Sequence, residues 1–201
     1  MSMPKMPMSM KLYLGFLFIA AVAFAWVMWT SYDHTRRSNS EMAVELKSIR
    51  IEKLAGELRY RNSLTKWVYD NSEKIDYDTA FEIVNAALAN NHTILVLAVV
   101  GAESMFNPYV VSSKGAVGLG QIMYNHWGER LQKRKIAESR RDLFRIKNNI
   151  AATGYILDFM MAESKGDVVK TLKMYLGADH SRYKNAVFAN YVRLSMLKEA
   201  R

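Results

Sequence analysis

No cysteine occurs among the 201 residues. That excludes a disulfide framework and thiolate metal sites, but it leaves the compartment open, because exported proteins also do without cysteine. The four histidines (His34, His92, His126 and His180) are scattered, with no pair at i, i+4. Zinc sites draw ligands from short helical spacings, so neither a metal nor a cofactor is expected. No internal repeat or low-complexity tract appears beyond the methionine-rich first ten residues. Half of the residues are apolar and 11% are aromatic. Wholesale disorder is excluded, and the length suits one compact domain plus an accessory segment.

What the chain has in excess is positive charge, with a formal net of +9. Such a surface favours polyanions. Much of the excess runs through Arg130, Lys133, Arg134, Lys135, Arg140, Arg141, Arg145 and Lys147. A solvated helix face is one reading, since lysine and arginine are the default surface residues. Attraction toward an anionic wall polymer or membrane is the other. No helix-turn-helix, RNA-recognition or zinc-finger pattern accompanies the charge, so nucleic acid is not an expected partner.

Leu12 to Trp29 contains no charged residue, and its length matches a hydrocarbon core of about 30 Å. Lys11 precedes it, and Tyr13, Trp26, Trp29 and Tyr32 stand where interfacial aromatics belong. A cleaved signal peptide is the rival reading, with Ala23-Phe24-Ala25 as its small-x-small site. The apolar run continues past that site through Val27, Met28 and Trp29, which favours a retained anchor in the lipid bilayer over residues 12–30. Lysines before the span and Arg36 and Arg37 after it leave the orientation undecided by charge.

From Glu41 to about Trp67 the pattern is helical. Val44, Ile51 and Leu58 recur every seven residues, but Lys47 and Arg61 occupy companion positions. A lone helical stalk, or a helix leaning on the next domain, fits this half-empty seam better than a robust coiled coil. A folded domain then begins. Asp78 is placed to cap a helix carrying Phe81, Ile83, Val84, Ala87 and Leu88, and Thr93 opens ILVLAVVGA, apolar on every side. A helix of that kind belongs inside a core. A loop with Gly115, Gly118 and Gly120 and several amphipathic helices follow.

Glu103 directly follows the apolar run. A carboxylate at the end of a core helix is partly desolvated, which favours its protonated form, and such an acid can protonate a glycosidic oxygen. By position alone, a surface glutamate at a helix end is the plainer reading.

The segment that follows changes the balance. Glu103-Ser104-Met105-Phe106-Asn107-Pro108, then Ser112, Gly115-Ala116 and Gly118-Leu119-Gly120-Gln121-Ile122-Met123, resembles the signature of lytic transglycosylases of the soluble-lytic-transglycosylase type. The usual form is E-S-x-F-N-P, a serine nine residues after the glutamate, then G-A-x-G-L-M-Q-I. Here Gly120 stands in place of the methionine. Looser similarity runs from about Ile75 to Leu197. Asn149-Ile150 with Gly154 and Leu157 is similar to N-I-x-x-G-x-x-Y-L, with the glycine one place late and Ile156 at the tyrosine position. Tyr175-Leu176-Gly177-Ala178 stands where the family has Y-N-A-G, and Tyr191-Val192 matches a terminal Y-V element.

The resemblance implies a mainly α, helix-dominated, lysozyme-like α+β catalytic domain. It implies Glu103 as catalytic acid and base, with Ser112, Gln121, Met123, Tyr175 and Tyr191 lining a substrate cleft and Asn149 as a weaker member. The plainer readings remain open: core tyrosines at Tyr175 and Tyr191, packing at Met123, and backbone capping by Gln121.

Between Ser104 and Gly128 there is no Asp or Glu, whereas most glycosidases need two carboxylates. A lone glutamate suits an intramolecular reaction that cleaves the MurNAc-GlcNAc bond of peptidoglycan glycan strands with 1,6-anhydro-MurNAc formation. A lysozyme-type hydrolase on the same scaffold, a non-catalytic wall-binding or assembly module, and a tethered interaction protein using the stalk are the alternatives. The expected organisation is a tail over 1–11, an anchor over 12–30, a helical stalk over 31–72 and the catalytic domain over 73–201, outside the cytoplasm. A bacterial inner membrane facing the periplasm, or a phage virion membrane, would suit it. So would membership of a larger secretion, conjugation or virion assembly, or a role in wall remodelling.

Overall fold

The computed structural model describes residues 7–72, 74–176 and 181–199. The chain divides into two compact units, Met1–Ala55 and Gly56–Arg201.

The first unit is helical throughout its described length and belongs to a helix, α1, that runs from Met8 to Asp70. The apolar run lies on it without a break, and its side chains are exposed on every face, Trp26 and Trp29 by more than two thirds. Among the described residues this is the one helix long and apolar enough to cross a membrane, by length and composition.

The second unit takes in the last turns of α1. Tyr60, Leu64 and Val68, spaced four apart on one face, are buried, so this part of the helix leans on the domain. The sequence pattern starts the domain at residue 73, whereas burial carries the second unit back to Gly56. Five further helices and a short 3-10 turn build on it before the last helix: α2 (Tyr77–Leu88), α3 (Thr93–Ser104), α4 (Tyr124–Lys133), the 3-10 turn (Arg140–Phe144), α5 (Ile146–Glu163) and α6 (Val168–Leu176). The last is α7 (Ser181–Glu199). The cap of α2 is Asp76, whose Oδ1 accepts from the Thr79 amide at 2.8 Å. The expected Asp78 sits inside the first turn instead, because the capping residue must precede the helical backbone to reach its free amides.

Two hydrophobic clusters organise this unit. The larger surrounds α3, whose Leu95 to Val100 are all buried, and draws on α1, α2, α5, α6 and α7. Each buried valine or leucine there stabilises the fold by about 1.5–3 kcal/mol. The smaller joins Val117 and Ile122 to Trp127, Leu131, Leu143 and Ile156. Tyr175 packs against both. Among the described residues there is no regular strand, only two antiparallel bridges, Val111 with Val117 and Val117 with Ile122.

The exit from α3 is the tightest bend near Glu103. Met105 (φ 48°) and Phe106 (φ 63°) are consecutive non-glycine residues in the left-handed region, a conformation costing about 1–3 kcal/mol apiece. Burial offsets it: Phe106 is fully enclosed and meets Trp67 edge-to-face at 5.8 Å. Gly101 makes the space, since a Cβ there would stand 3.0 Å from Phe106 Cζ. Phe106→Ala is therefore expected to destabilise the second unit by about 3–5 kcal/mol, read by urea unfolding of the detergent-solubilised chain through tryptophan fluorescence. A loss under about 1 kcal/mol would show that the bend is held by something else.

Candidate active site

Glu103 lies in the last turn of α3 and is half-buried. The helix below it is fixed along its length. Ser104 Oγ donates to Val100 O at 3.1 Å, Met105 N to Gly101 O at 3.2 Å, and Asn190 Nδ2 of α7 to Ala98 O at 3.4 Å. Beyond the bend, Asn107 Oδ1 accepts from Tyr109 N at 3.0 Å. A carboxylate is thus presented from an immobile helix end beside a chain that turns sharply away.

The chain then folds over as a pinned loop. Ser112 closes its first turn: the Oγ accepts from Ala116 N at 3.0 Å, and the backbone amide donates to Ala116 O at 3.0 Å. Val117 and Ile122 exchange both backbone hydrogen bonds, at 3.1 and 3.0 Å, around the turn Gly118 to Gln121. Gly118 (φ 70°) is required twice over, because a Cβ would also meet Asn149 Nδ2 at 2.3 Å. Gln121, itself left-handed at φ 48°, donates through Nε2 to Val110 O (3.2 Å) and Gly118 O (2.9 Å). Its amide nitrogen caps backbone, one of the two uses open to it from sequence, and an amide also carries an acceptor oxygen.

Asn149, buried on α5, ties this loop to the helices. Its Oδ1 accepts from Gly120 N at 2.8 Å, and its Nδ2 donates to Val117 O at 3.0 Å and Leu143 O at 2.7 Å. Both ends of the amide are spent on backbone, so Asn149 holds the loop in place from behind.

Tyr175 is the contact between the loop and Glu103. Its hydroxyl donates to Gly120 O at 2.7 Å, close to the Thr153 side chain. Burial of that hydroxyl, reinforced by the nearby Glu103 carboxylate, pushes the phenol well above its ordinary ionisation range. It therefore stays a neutral donor at any physiological pH. Tyr175, Gln121, Met123, Ile122, Asn125, His126, Trp127 and Ile156 line a hollow of about 380 Å³. Met123 precedes the first turn of α4 and is half-buried there.

Tyr175, Gln121 and Met123 share the hollow, with Glu103 near the Tyr175 hydroxyl and Ser112 and Asn149 holding the loop. Tyr191 goes elsewhere. It lines a separate cavity of about 520 Å³ with Tyr60, His92, Thr93, Met161 and Val168, at the opposite end of α3 from Glu103. Gly177 and Ala178 of the Y-N-A-G-like turn lie outside the described residues.

Thr153 is the residue that sequence reasoning passed over. A Cβ on Gly120 would stand 2.0 Å from Thr153 Oγ1 and 3.0 Å from the Tyr175 hydroxyl. The loop position that carries methionine in the family's usual form is empty here, and the helix position that usually carries glycine is filled by Thr153. The two departures compensate in volume. The late glycine, Gly154, serves a different contact, since a Cβ there would overlap Asn90 Oδ1 at 1.9 Å. A signal was present in the sequence as two departures of opposite size, but only the fold shows that they touch.

Gly120→Met alone is expected to destabilise by about 1–3 kcal/mol, and adding Thr153→Gly should recover much of that loss. A double-mutant cycle on urea unfolding should show coupling above about 1 kcal/mol. Effects that add to within about 0.5 kcal/mol would separate the two positions.

A family model described as transglycosylase SLT domain matches residues 82–187. No curated protein and no solved structure matches the chain. The matched span holds Glu103, the pinned loop, Asn149, Thr153 and Tyr175, and it covers more than half of the chain. Together with the glutamate at the end of a buried helix and the loop folded beside it, this match establishes that the chain belongs to the SLT transglycosylase domain family, whose lysozyme-like fold acts on peptidoglycan.

Proposed function

We propose that the chain is a membrane-anchored lytic transglycosylase in which Glu103 serves as acid and then as base. The observation that carries this reading is the half-buried Glu103 near the neutral, hydrogen-bonded Tyr175, which itself lines a hollow with Gln121 and Met123. In this mechanism Glu103 begins protonated and donates that proton. Glu103 would protonate the oxygen joining MurNAc to GlcNAc as that bond breaks. The resulting carboxylate would then take the proton of the MurNAc 6-hydroxyl as its oxygen bonds to C1 and closes the 1,6-anhydro ring. One proton moves out and one returns, so the enzyme ends as it began without a water molecule.

Ser112 and Asn149 support this chemistry by holding the loop, and Gln121, Met123 and Tyr175 by facing the glycan. Tyr191 has no part in the proposed cleft. The exposed apolar run supports an anchor, since its length and composition suit a hydrocarbon core. A substrate that lies outside the cytoplasm places the domain there. Anchored and small, such an enzyme fits local opening of the wall by a secretion, conjugation or virion assembly, or wall remodelling.

Glu103→Gln in the full chain is expected to lower release of fragments from labelled peptidoglycan by about 10³-fold while leaving the unfolding midpoint in place. Retention of most activity would remove Glu103 from the mechanism. For the anchor, the wild-type chain should stay in the membrane pellet after alkaline carbonate. Ile19→Arg with Val22→Arg should release it, each charge costing about 2.5–3.5 kcal/mol at mid-bilayer. A soluble wild-type chain shortened at its N-terminus would mean a cleaved signal peptide.

A further inference from the structure

The basic face of the second unit has a definite relation to the hollow lined by Tyr175 and Trp127. Glu129 to Lys147 holds eight basic and three acidic residues, a net of +5 in a chain whose total is +9. All eight basic residues are exposed. The acids are largely engaged within the segment: Glu129 pairs with Lys133, and Asp142 caps the 3-10 turn through Ser139 and reaches Arg145 at 3.9 Å. Arg130 and Arg134 are different. Among the described residues neither has a carboxylate within ion-pair distance, and both are laid on aromatic rings.

Arg130 sits 4.4 Å from the centroid of Phe159 and 5.5 Å from that of Trp127, and Arg134 sits 5.4 Å from that of Tyr155. Stacking of this kind restrains a guanidinium while leaving its in-plane N–H groups directed outward. Trp127 is itself a wall of the hollow. α4 is flanked by Met123 at its start and Arg134 at its end, and Trp127 and Arg134 lie about 10 Å apart along its axis. The result is a track that starts at the hollow and continues into two restrained, unpaired guanidinium groups.

Resting on the function proposed above, we propose that Arg130 and Arg134 form a docking track for the carboxylates of the stem peptides carried by the glycan strand in the cleft. Restrained planar forks match carboxylates with two parallel hydrogen bonds. Attraction to lipid headgroups would need only mobile cations and no continuity with the hollow. The track would therefore favour glycan that still bears peptides over bare glycan.

The test compares the full chain, solubilised in detergent, with Arg130→Gln/Arg134→Gln. The substrates are peptidoglycan with its stem peptides and the same glycan stripped of them by an amidase. Sedimentation in the Glu103→Gln background reads binding without cleavage. The double variant is expected to bind peptide-bearing material about tenfold more weakly and stripped glycan unchanged, with the wild-type preference fading as salt rises. In the active background, KM on peptide-bearing strands should rise by a similar factor, with kcat and cleavage of stripped strands unaltered. Arg134→Glu, at the exposed end of α4, should give the same pattern if the double variant folds poorly. Equal binding losses on both substrates, no loss on either, or a loss confined to vesicles of anionic phospholipid would each overturn the proposal. Absence of cleavage by wild type on both substrates would count against the function instead, and sedimentation would still decide the track.

Discussion

The bend at Met105 and Phe106 is held by a ring that the core encloses. Two left-handed residues in succession are unfavourable, and they persist because Phe106 is sealed between Gly101 and Trp67. That contact fixes where α3 stops, and so where Glu103 stands. It also sends the chain away from the helix end, leaving the carboxylate half-exposed beside a loop instead of sealed under one. A core helix with six consecutive buried residues is a poor place for a charge. Its final turn is the point where burial and access can coexist.

The loop that faces Glu103 is held from behind by polar side chains whose bonds run to backbone. Asn149, Gln121 and Ser112 act in this way. Tyr175 joins the loop carbonyl of Gly120 to the neighbourhood of Glu103. The absence of a side chain at Gly120 lets Thr153 and Tyr175 approach it directly. The cleft is consequently shaped by contacts between α5, α6 and the loop, elements far apart in sequence.

Legibility in the sequence followed from how local each signal was. The buried α3 could be read because nine apolar residues in a row leave no polar face, and Gly115 and Gly118 because their positive φ is a local backbone demand. The signature around Glu103 spans about twenty residues and carried the family and the fold with it. Asn149 was expected at the cleft, whereas its amide bonds to loop backbone, since a motif does not give the direction of a residue's hydrogen bonds. Tyr191 lines a different cavity from Tyr175, and its position depends on how α7 packs along α3, which no local pattern encodes. That α1 leans on the domain was one of two readings open in the sequence, but which of its turns do so was not legible. Tyr60, Leu64 and Val68 share a face with no partner visible in their own segment.

The most direct measurement is mass spectrometry of the ends created when the detergent-solubilised full chain cleaves purified peptidoglycan. A single glutamate working with the sugar's own 6-hydroxyl should leave 1,6-anhydro-MurNAc ends and incorporate no oxygen from ¹⁸O-labelled water. Reducing MurNAc ends carrying ¹⁸O would contradict this, because they would require water, activated at the same site, to be the nucleophile.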